Sequence, residues 1–319
     1  MAKFLTIDDF DFKNKVALVR VDFNSPIDPE TKKILDDTRI RAHAQTTLKE
    51  LCEKGAKTVV LAHQGRPGDP DFTPLKQHAE ILGKILGKPV KYVEDLFGEK
   101  AQKAIKGLKS GEILVLENVR TFPDEQNKGT PEEHAKSEFV QKLAPLGDVF
   151  VNDAFAAAHR AHISIVGFTA VMPSVAGRIM EKELKALGRV LEAPEKPCVY
   201  ILGGAKADDS LEISRYVLKN NIADRILTGG VVGHLFLAAK GFDLGKPNME
   251  LLEKRELMGL VPGIQELMNA YPGKIETPTD VAIEVEGKRK EIIIERLPTN
   301  YPVYDIGTKT VKKYSDIIR

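Results

Sequence analysis

The chain lacks most of the features that would assign it a role at a glance. Of its 319 residues only Cys52 and Cys198 are cysteine. Each lies in a hydrophobic pattern without a CxxC partner, so neither a disulfide framework nor a structural zinc site is expected, and both read as buried thiols. Net charge is nearly absent, at +1. Nucleic-acid-binding domains are basic, so no nucleic-acid partner is expected. No stretch approaches the roughly 20 apolar residues that cross a bilayer, and Met1-Ala2-Lys3-Phe4-Leu5 carries no apolar signal core, which leads to the expectation of no membrane partner and a cytoplasmic location. Neither GxxxxGK[ST] nor GxGxxG occurs, so the two commonest nucleotide loops are excluded. Internal repeats and low-complexity segments are missing too.

What is present is a chain with 42% hydrophobic residues, long enough for two ordinary domains. Short runs rich in β-branched residues, Lys15–Val21, Lys57–Ala62, Val90–Val93, Ile113–Leu116 and Val149–Val151, read as buried strands. Helical patterns alternate with them. One opens at Asp36-Asp37-Thr38 and carries Ile40, Ala44, Leu48, Leu51 and Cys52 to Gly55. Another opens at Thr73-Pro74 and ends at Gly87, and a third opens at Thr130-Pro131. Strand and helix in alternation predict a parallel α/β sheet. Four of the strands run straight into cations: Arg20, then His63 and Arg66, then Arg120, then His159, Arg160 and His162.

Parallel strands share one carboxyl edge, and ligands bind there, so these loops should converge on a cationic cleft for a small anion. Arginine suits that task because its guanidinium meets a phosphate or carboxylate with two hydrogen bonds. Asp22, Asn24, Asn118, Asn152 and Asp153 stand among the cations and can hold guanidiniums in place or bind hydroxyls. Arg39 and Arg41 sit in the first turn of a helix, against the macrodipole, which a nearby bound anion would explain. The His159/His162 pair has no third ligand at a recognisable spacing, so no metal site is expected from the protein residues.

The second half repeats the theme. After a long amphipathic pattern from Met172 to Leu191, Cys198–Leu202 reads as a strand emptying into Gly203-Gly204-Ala205-Lys206. Glycines at a strand-to-helix turn let backbone amides approach a phosphate, and Lys206 adds a charge. Arg225–Thr228 empties in the same way into Gly229-Gly230, ahead of a helix from Val231 to Ala239. Segments within 274–286 and 291–297 look like sheet, and a helix through Val311, Tyr314, Ile317 and Ile318 follows.

Taken together and in order, VRVDFN at 19–24, HQGRP at 63–67, LENVR at 116–120, NDAFAAAHRAH at 152–162, ILGGAK at 201–206 and DIGTKT at 305–310 closely resemble phosphoglycerate kinases, particularly the archaeal forms. The resemblance implies an α/β protein of two parallel-sheet, Rossmann-like domains joined by a helix: a 3-phosphoglycerate-binding domain at 1–171, the interdomain helix at 172–193 and a partial nucleotide-binding domain at 194–319. It implies reversible phosphoryl transfer between 1,3-bisphosphoglycerate with ADP and 3-phosphoglycerate with ATP, the nucleotide accompanied by Mg2+. By the same resemblance Asp22, Asn24, His63, Arg66, Arg120 and Arg160, with His159 and His162, bind the acid. Arg39 is the transition-state arginine and also touches the acid, and Lys206 assists at the moving phosphate. Gly203, Gly204, Lys206 and Gly229 face the nucleotide.

Departures from the family pattern are visible. Ser210 replaces a second lysine, and Ala156 a common glycine. Segments that in the family supply the ribose contact, the magnesium aspartate and a glycine-rich phosphate turn have no counterpart, so a truncated form is expected. The alternative is a catalytically incompetent module that binds only phosphoglycerate.

Overall fold

A computed structural model describes residues 4–192 and 194–319. The chain divides into two compact units, Met1–Leu187 and Gly188–Arg319. In the first, six parallel strands, β1 (Val16–Arg20), β2 (Lys57–Leu61), β3 (Lys91–Tyr92), β4 (Ile113–Val115), β5 (Val149–Asn152) and β6 (Ser174–Ala176), lie in the order β3-β4-β2-β1-β5-β6. Burial on both faces is why these strands read as continuous apolar runs. Ala17, Val19 and Val21 pack with Val60, Val149 and Val151 on one side, while Leu18 packs with Val59, Leu114 and Phe150 on the other. β1 is flanked by β2 and β5, with Arg20 in register with both Leu61 and Asn152. The chain therefore departs from β1 in opposite directions, and the crevice this leaves at the carboxyl ends is where such sheets bind ligands.

Three helices differ from expectation for identifiable reasons. The one predicted at Thr73-Pro74 begins at Lys76, because Glu117 accepts the hydrogen bond of Leu75 N from another strand end and takes the place of a local cap. The segment after Thr130 has the expected Thr130/Glu133 capping box, yet its helix is only Pro131–His134, and Ser137 caps a second, Glu138–Leu143. The long pattern assigned to one helix from Met172 is split. Val175 belongs to β6, and the helix runs over Arg178–Glu192. The helix bearing Arg39 holds its predicted face, with Ile40, Ala44, Leu48 and Leu51 buried, although it passes through a π turn at Ala44–Leu48.

In the second unit a parallel sheet has β8 (Arg225–Thr228) between β7 (Val199–Leu202) and β9 (Ile275–Glu276). The segments read only as sheet form a separate antiparallel sheet, β10 (Asp280–Val285) between β11 (Lys288–Ile293) and β12 (Val303–Ile306). β10 and β11 turn at Glu286-Gly287, both with positive φ, the geometry that two-residue hairpins favour. Helices Ala207–Lys219, Gly230–Ala239 and Val261–Ala270 bury Leu211, Val217, Leu235, Phe236 and Ile264 with Ile226 and Val281.

Candidate active site

A cleft of about 280 Å³ opens at the carboxyl edge of the six-stranded sheet. The loop after β1 brings Asp22 and Asn24, that after β2 brings His63, Gly65, Arg66, Asp69 and Asp71, β4 leads to Arg120, and β5 to Ala156, Ala157 and Arg160; Arg39 joins from its helix. Seven of the residues predicted to bind the acid thus meet in one cavity. His159 is exposed and outside it, the acceptor of a 3.3 Å hydrogen bond from Arg160 Nε. His162 also does not line it.

The loops are held from within. Gln64 accepts from Ser25 N at 2.8 Å and donates to Asp71 O at 3.2 Å, and Asn24 Oδ1 accepts from Gly65 N at 2.9 Å. Gly65 has φ +64, and a Cβ there would lie 2.5 Å from the Asp71 backbone, so only glycine lets the loop fold back over itself. Arg120, buried, donates to Gly65 O.

Four guanidiniums face three carboxylates in this cleft, and the pairing is uneven. Arg39 bonds Asp22 Oδ2 at 2.8 Å. Among the described residues no carboxylate lies within ion-pair distance of Arg66, Arg120 or Arg160. Burial, then the neighbouring Arg160, holds the Arg120 pKa below its usual value. Cations that raise each other's energy in this way are relieved by a bound anion.

Arg20, grouped with the cleft cations on sequence grounds, lies behind them. It is 2% exposed and donates through Nη2 to His63 Nδ1 at 3.0 Å and through Nε to Ser164 Oγ at 2.9 Å. Because a guanidinium only donates, His63 must accept at Nδ1 and carry its proton on Nε2. Burial and then repulsion by Arg20 lower the His63 pKa to about 2, so this side chain is an uncharged donor. Burial likewise brings Arg20 down to about 10 and His162 to about 4. Glu125 balances Arg20 from the far side. Burial raises its pKa to about 7, and it receives Ser164 N at 2.9 Å and Ser164 Oγ at 2.6 Å. Arg41, the other cation of that first helical turn, pairs with Asp37 at 2.7 Å and needs no anion.

In the second unit Gly203, Gly204 and Lys206 form the exposed turn from β7 to its helix, and Gly229 with Gly230 the turn after β8. Gly230 has φ +56 and its Cβ would sit 2.9 Å from Gly204 N. The two glycine turns are therefore packed backbone to backbone at two helix N-termini, which offer amides to an anion. Ser210 is turned inward, donating to Lys206 O at 3.0 Å. The DIGTKT motif has a structural explanation. Asp280 accepts from Lys309 N and Thr310 N and caps the last helix, leaving no room for a Cβ on Gly307.

Comparison with known proteins reaches the same place. The family model described as phosphoglycerate kinase matches residues 7–319. The chain is 51% identical to the phosphoglycerate kinase of Methanobacterium bryantii, over 99% of this chain and 77% of that protein. It is 50% identical to that of Methanothermobacter thermautotrophicus, with the same coverage. The crystal structure of the enzyme from Pyrococcus horikoshii OT3 superposes with a TM-score of 0.86 at 41% identity, covering 98% of this chain and 78% of that one. The structure of phosphoglycerate kinase from Coxiella burnetii gives 0.80 at 28% identity, covering 99% and 77%.

The chain belongs to the phosphoglycerate kinase family. It is accordingly a phosphotransferase of glycolysis with a carboxyl group as acceptor, transferring phosphate reversibly between 1,3-bisphosphoglycerate with ADP and 3-phosphoglycerate with ATP. Matches running through both units favour the kinase over a module that binds only the acid. Among the described residues no helix is long and apolar enough to cross a membrane. The residue order did not single out Gly65, Asp69, Asp71, Ala156 or Ala157 as part of the cleft. The signal available was Gly65 itself, whose turn brings 69–71 back to the motif it belongs to.

Proposed function

We propose that the cleft of the first unit holds 3-phosphoglycerate, and the carrying observation is the three guanidiniums, Arg66, Arg120 and Arg160, that converge without carboxylate partners. In this reading Arg66, Arg120 and Arg160 take the phosphate and carboxylate. Asp22, Asn24 and His63 Nε2 bond the hydroxyl and remaining oxygens. His159 and His162, outside the cleft, are given no contact with the acid. Arg39, half exposed beside Asp22, bridges the acid's carboxylate and the moving phosphoryl group. Phosphoryl transfer demands in-line positioning and charge stabilisation rather than covalent chemistry, which an arginine with one free edge can supply.

ATP or ADP is assigned to the Gly203-Gly204-Ala205-Lys206 turn and to Gly229, where amides and the Lys206 ammonium meet the phosphates. Mg2+ would arrive with the nucleotide. Among the described residues no cluster of three or more His, Cys, Asp or Glu side chains could hold an ion, so these residues do not make a site for it and no step here runs through it. A cytoplasmic setting suits substrates of this kind.

Calorimetric titration of the protein, first with 3-phosphoglycerate and then with Mg-ATP, tests the assignment. Replacing a charge-assisted contact loses roughly 10- to 100-fold in affinity. Arg160→Ala should weaken the acid by that much and leave the nucleotide alone, and Lys206→Ala should do the reverse. Unchanged acid affinity in Arg160→Ala together with Arg120→Ala would remove the cleft from consideration.

A further inference from the structure

Behind Asp22 lies a buried pair that takes no part in the binding just described. His43 is 4% exposed and Asp153 fully buried, and His43 Nδ1 lies 2.7 Å from Asp153 Oδ2. The opposite ring nitrogen, Nε2, receives the backbone N–H of Asp22 at 3.1 Å. An amide can only donate, so Nε2 is the acceptor and the ring proton is on Nδ1, pointing at Asp153. The edge of Phe23 closes the ring in, with centroids 6.1 Å apart.

Asp153 is itself immobilised. Its Oδ1 accepts from Ile179 N at 2.9 Å and Met180 N at 3.2 Å, at the start of helix Arg178–Glu192. Its own N–H donates to Arg20 O at 2.8 Å. On the other side, Asp22 Oδ2 holds Arg39. His43 and Arg39 stand four residues apart on one helix, hence on one face, and Asp22 is gripped by both. The anchored carboxylate fixes the imidazole, the imidazole fixes the Asp22 main chain, and the Asp22 carboxylate fixes a guanidinium that is otherwise half in solvent.

We propose that His43 is a positioning residue for the phosphoryl transfer, setting the place of Arg39 through Asp22 without touching either substrate. Nothing else buried on that helix offers a polar atom to Asp22, and a hydrophobic side chain of equal volume would fill the space yet leave the amide without an acceptor. The proposal rests on the assignment of Arg39 to the transferring phosphoryl group.

A double-mutant cycle separates the two claims. Arg39→Ala alone should lower kcat on the order of 10³-fold, as loss of a transition-state cation does. His43→Asn preserves a donor near Nδ1 for Asp153 but removes the acceptor for Asp22, and should lower kcat by roughly 10- to 100-fold, the size of effect seen when a supporting contact behind a reactive group is lost. His43→Gln presents an oxygen near Nε2 and should recover turnover to within about threefold, even though it gives up the Asp153 bond. In the double variant His43→Asn should add almost nothing to Arg39→Ala, because the residue it positions is gone.

Urea unfolding of each protein distinguishes positioning from folding. Asn and Gln both lose one buried hydrogen bond and should be destabilised alike, while only Asn loses turnover. A folded His43→Asn protein with unchanged kcat, equal losses of kcat in the Asn and Gln variants, or a double variant whose kcat falls by the product of the two single effects would overturn the proposal. A silent Arg39→Ala would instead refute the assignment of Arg39.

Discussion

Arg39 illustrates how a residue's chemistry depends on what its neighbours leave free. Its Nη1 is committed to Asp22, and about half of the side chain, 52%, remains exposed. In the role proposed for Arg39, the interaction with the moving phosphoryl group exists only on the way through the transition state, and Arg39→Ala should change turnover far more than it changes KM for 3-phosphoglycerate. Steady-state kinetics with the acid varied at saturating Mg-ATP measures both. A rise in KM with kcat intact would place Arg39 among the ordinary binding residues. The residue order was enough to nominate Arg66, Arg120 and Arg160, since each follows a recognisable strand, and Arg39, a cation set against the macrodipole in the first turn of a helix. It could not separate Arg20 from that set, because a guanidinium at a strand end is written the same way whether it faces the cleft or, as here, turns back toward Ser164 and His63.

At the scale of an element, the two glycine turns of the second unit depend on close approach of main chains. Gly230→Ala meets two penalties at once, a left-handed φ of +56 and a Cβ 2.9 Å from Gly204 N. Strain of the first kind alone costs about 1–3 kcal/mol. Gly241 has φ +91 and nothing within 4 Å of its Cβ position, so Gly241→Ala carries only the conformational penalty. Urea denaturation should therefore show Gly230→Ala as the less stable of the two by a clear margin, with Mg-ATP affinity falling in Gly230→Ala alone. Equal destabilisation would mean that the turns do not pack as described. Helix starts were the least legible elements, and for a consistent reason. A cap can come from anywhere in space: Glu117 serves the helix from Lys76, Asp153 that from Arg178, and Asp280 that from Thr308.

Across the whole molecule, acid sensitivity follows from histidines buried in the neutral state. His78 is fully buried, its Nε2 donating to Gln64 Oε1 at 3.1 Å and its Nδ1 without a partner among the described residues. Burial lowers its pKa to about 4, and that of His234 in the second unit also to about 4. Unfolded histidine titrates near 6.5. As pH falls the unfolded chain takes up the proton first, so the stability these groups contribute is fully present above about 6.5 and is lost as pH falls toward 4. His78→Gln retains a donor for Gln64 but cannot titrate. Between pH 7 and pH 5 it should lose on the order of 2 kcal/mol less stability than the parent protein, measured as urea midpoints at each pH. Parallel pH profiles would show that His78 is not the titrating group. Glu125 has the opposite sign. With its folded pKa raised to about 7, the stability held by its protonated form is complete below its unfolded value and declines as pH rises through 7.

The sequence by itself determined the parallel α/β character of the first unit, the positions of β1 to β5, β7 and β8, and the convergence of cations on one edge. These depend on local apolar runs and on the rule that parallel strands share a direction. Tertiary structure alone decided that Val175 is a strand residue, that Arg20 stands behind the cleft, that Arg41 is spent on Asp37 and that His43 reaches Asp22 and Asp153. Each of those outcomes is a contact between residues distant in sequence or a direction taken by a side chain, and neither leaves a periodic trace in the order of residues.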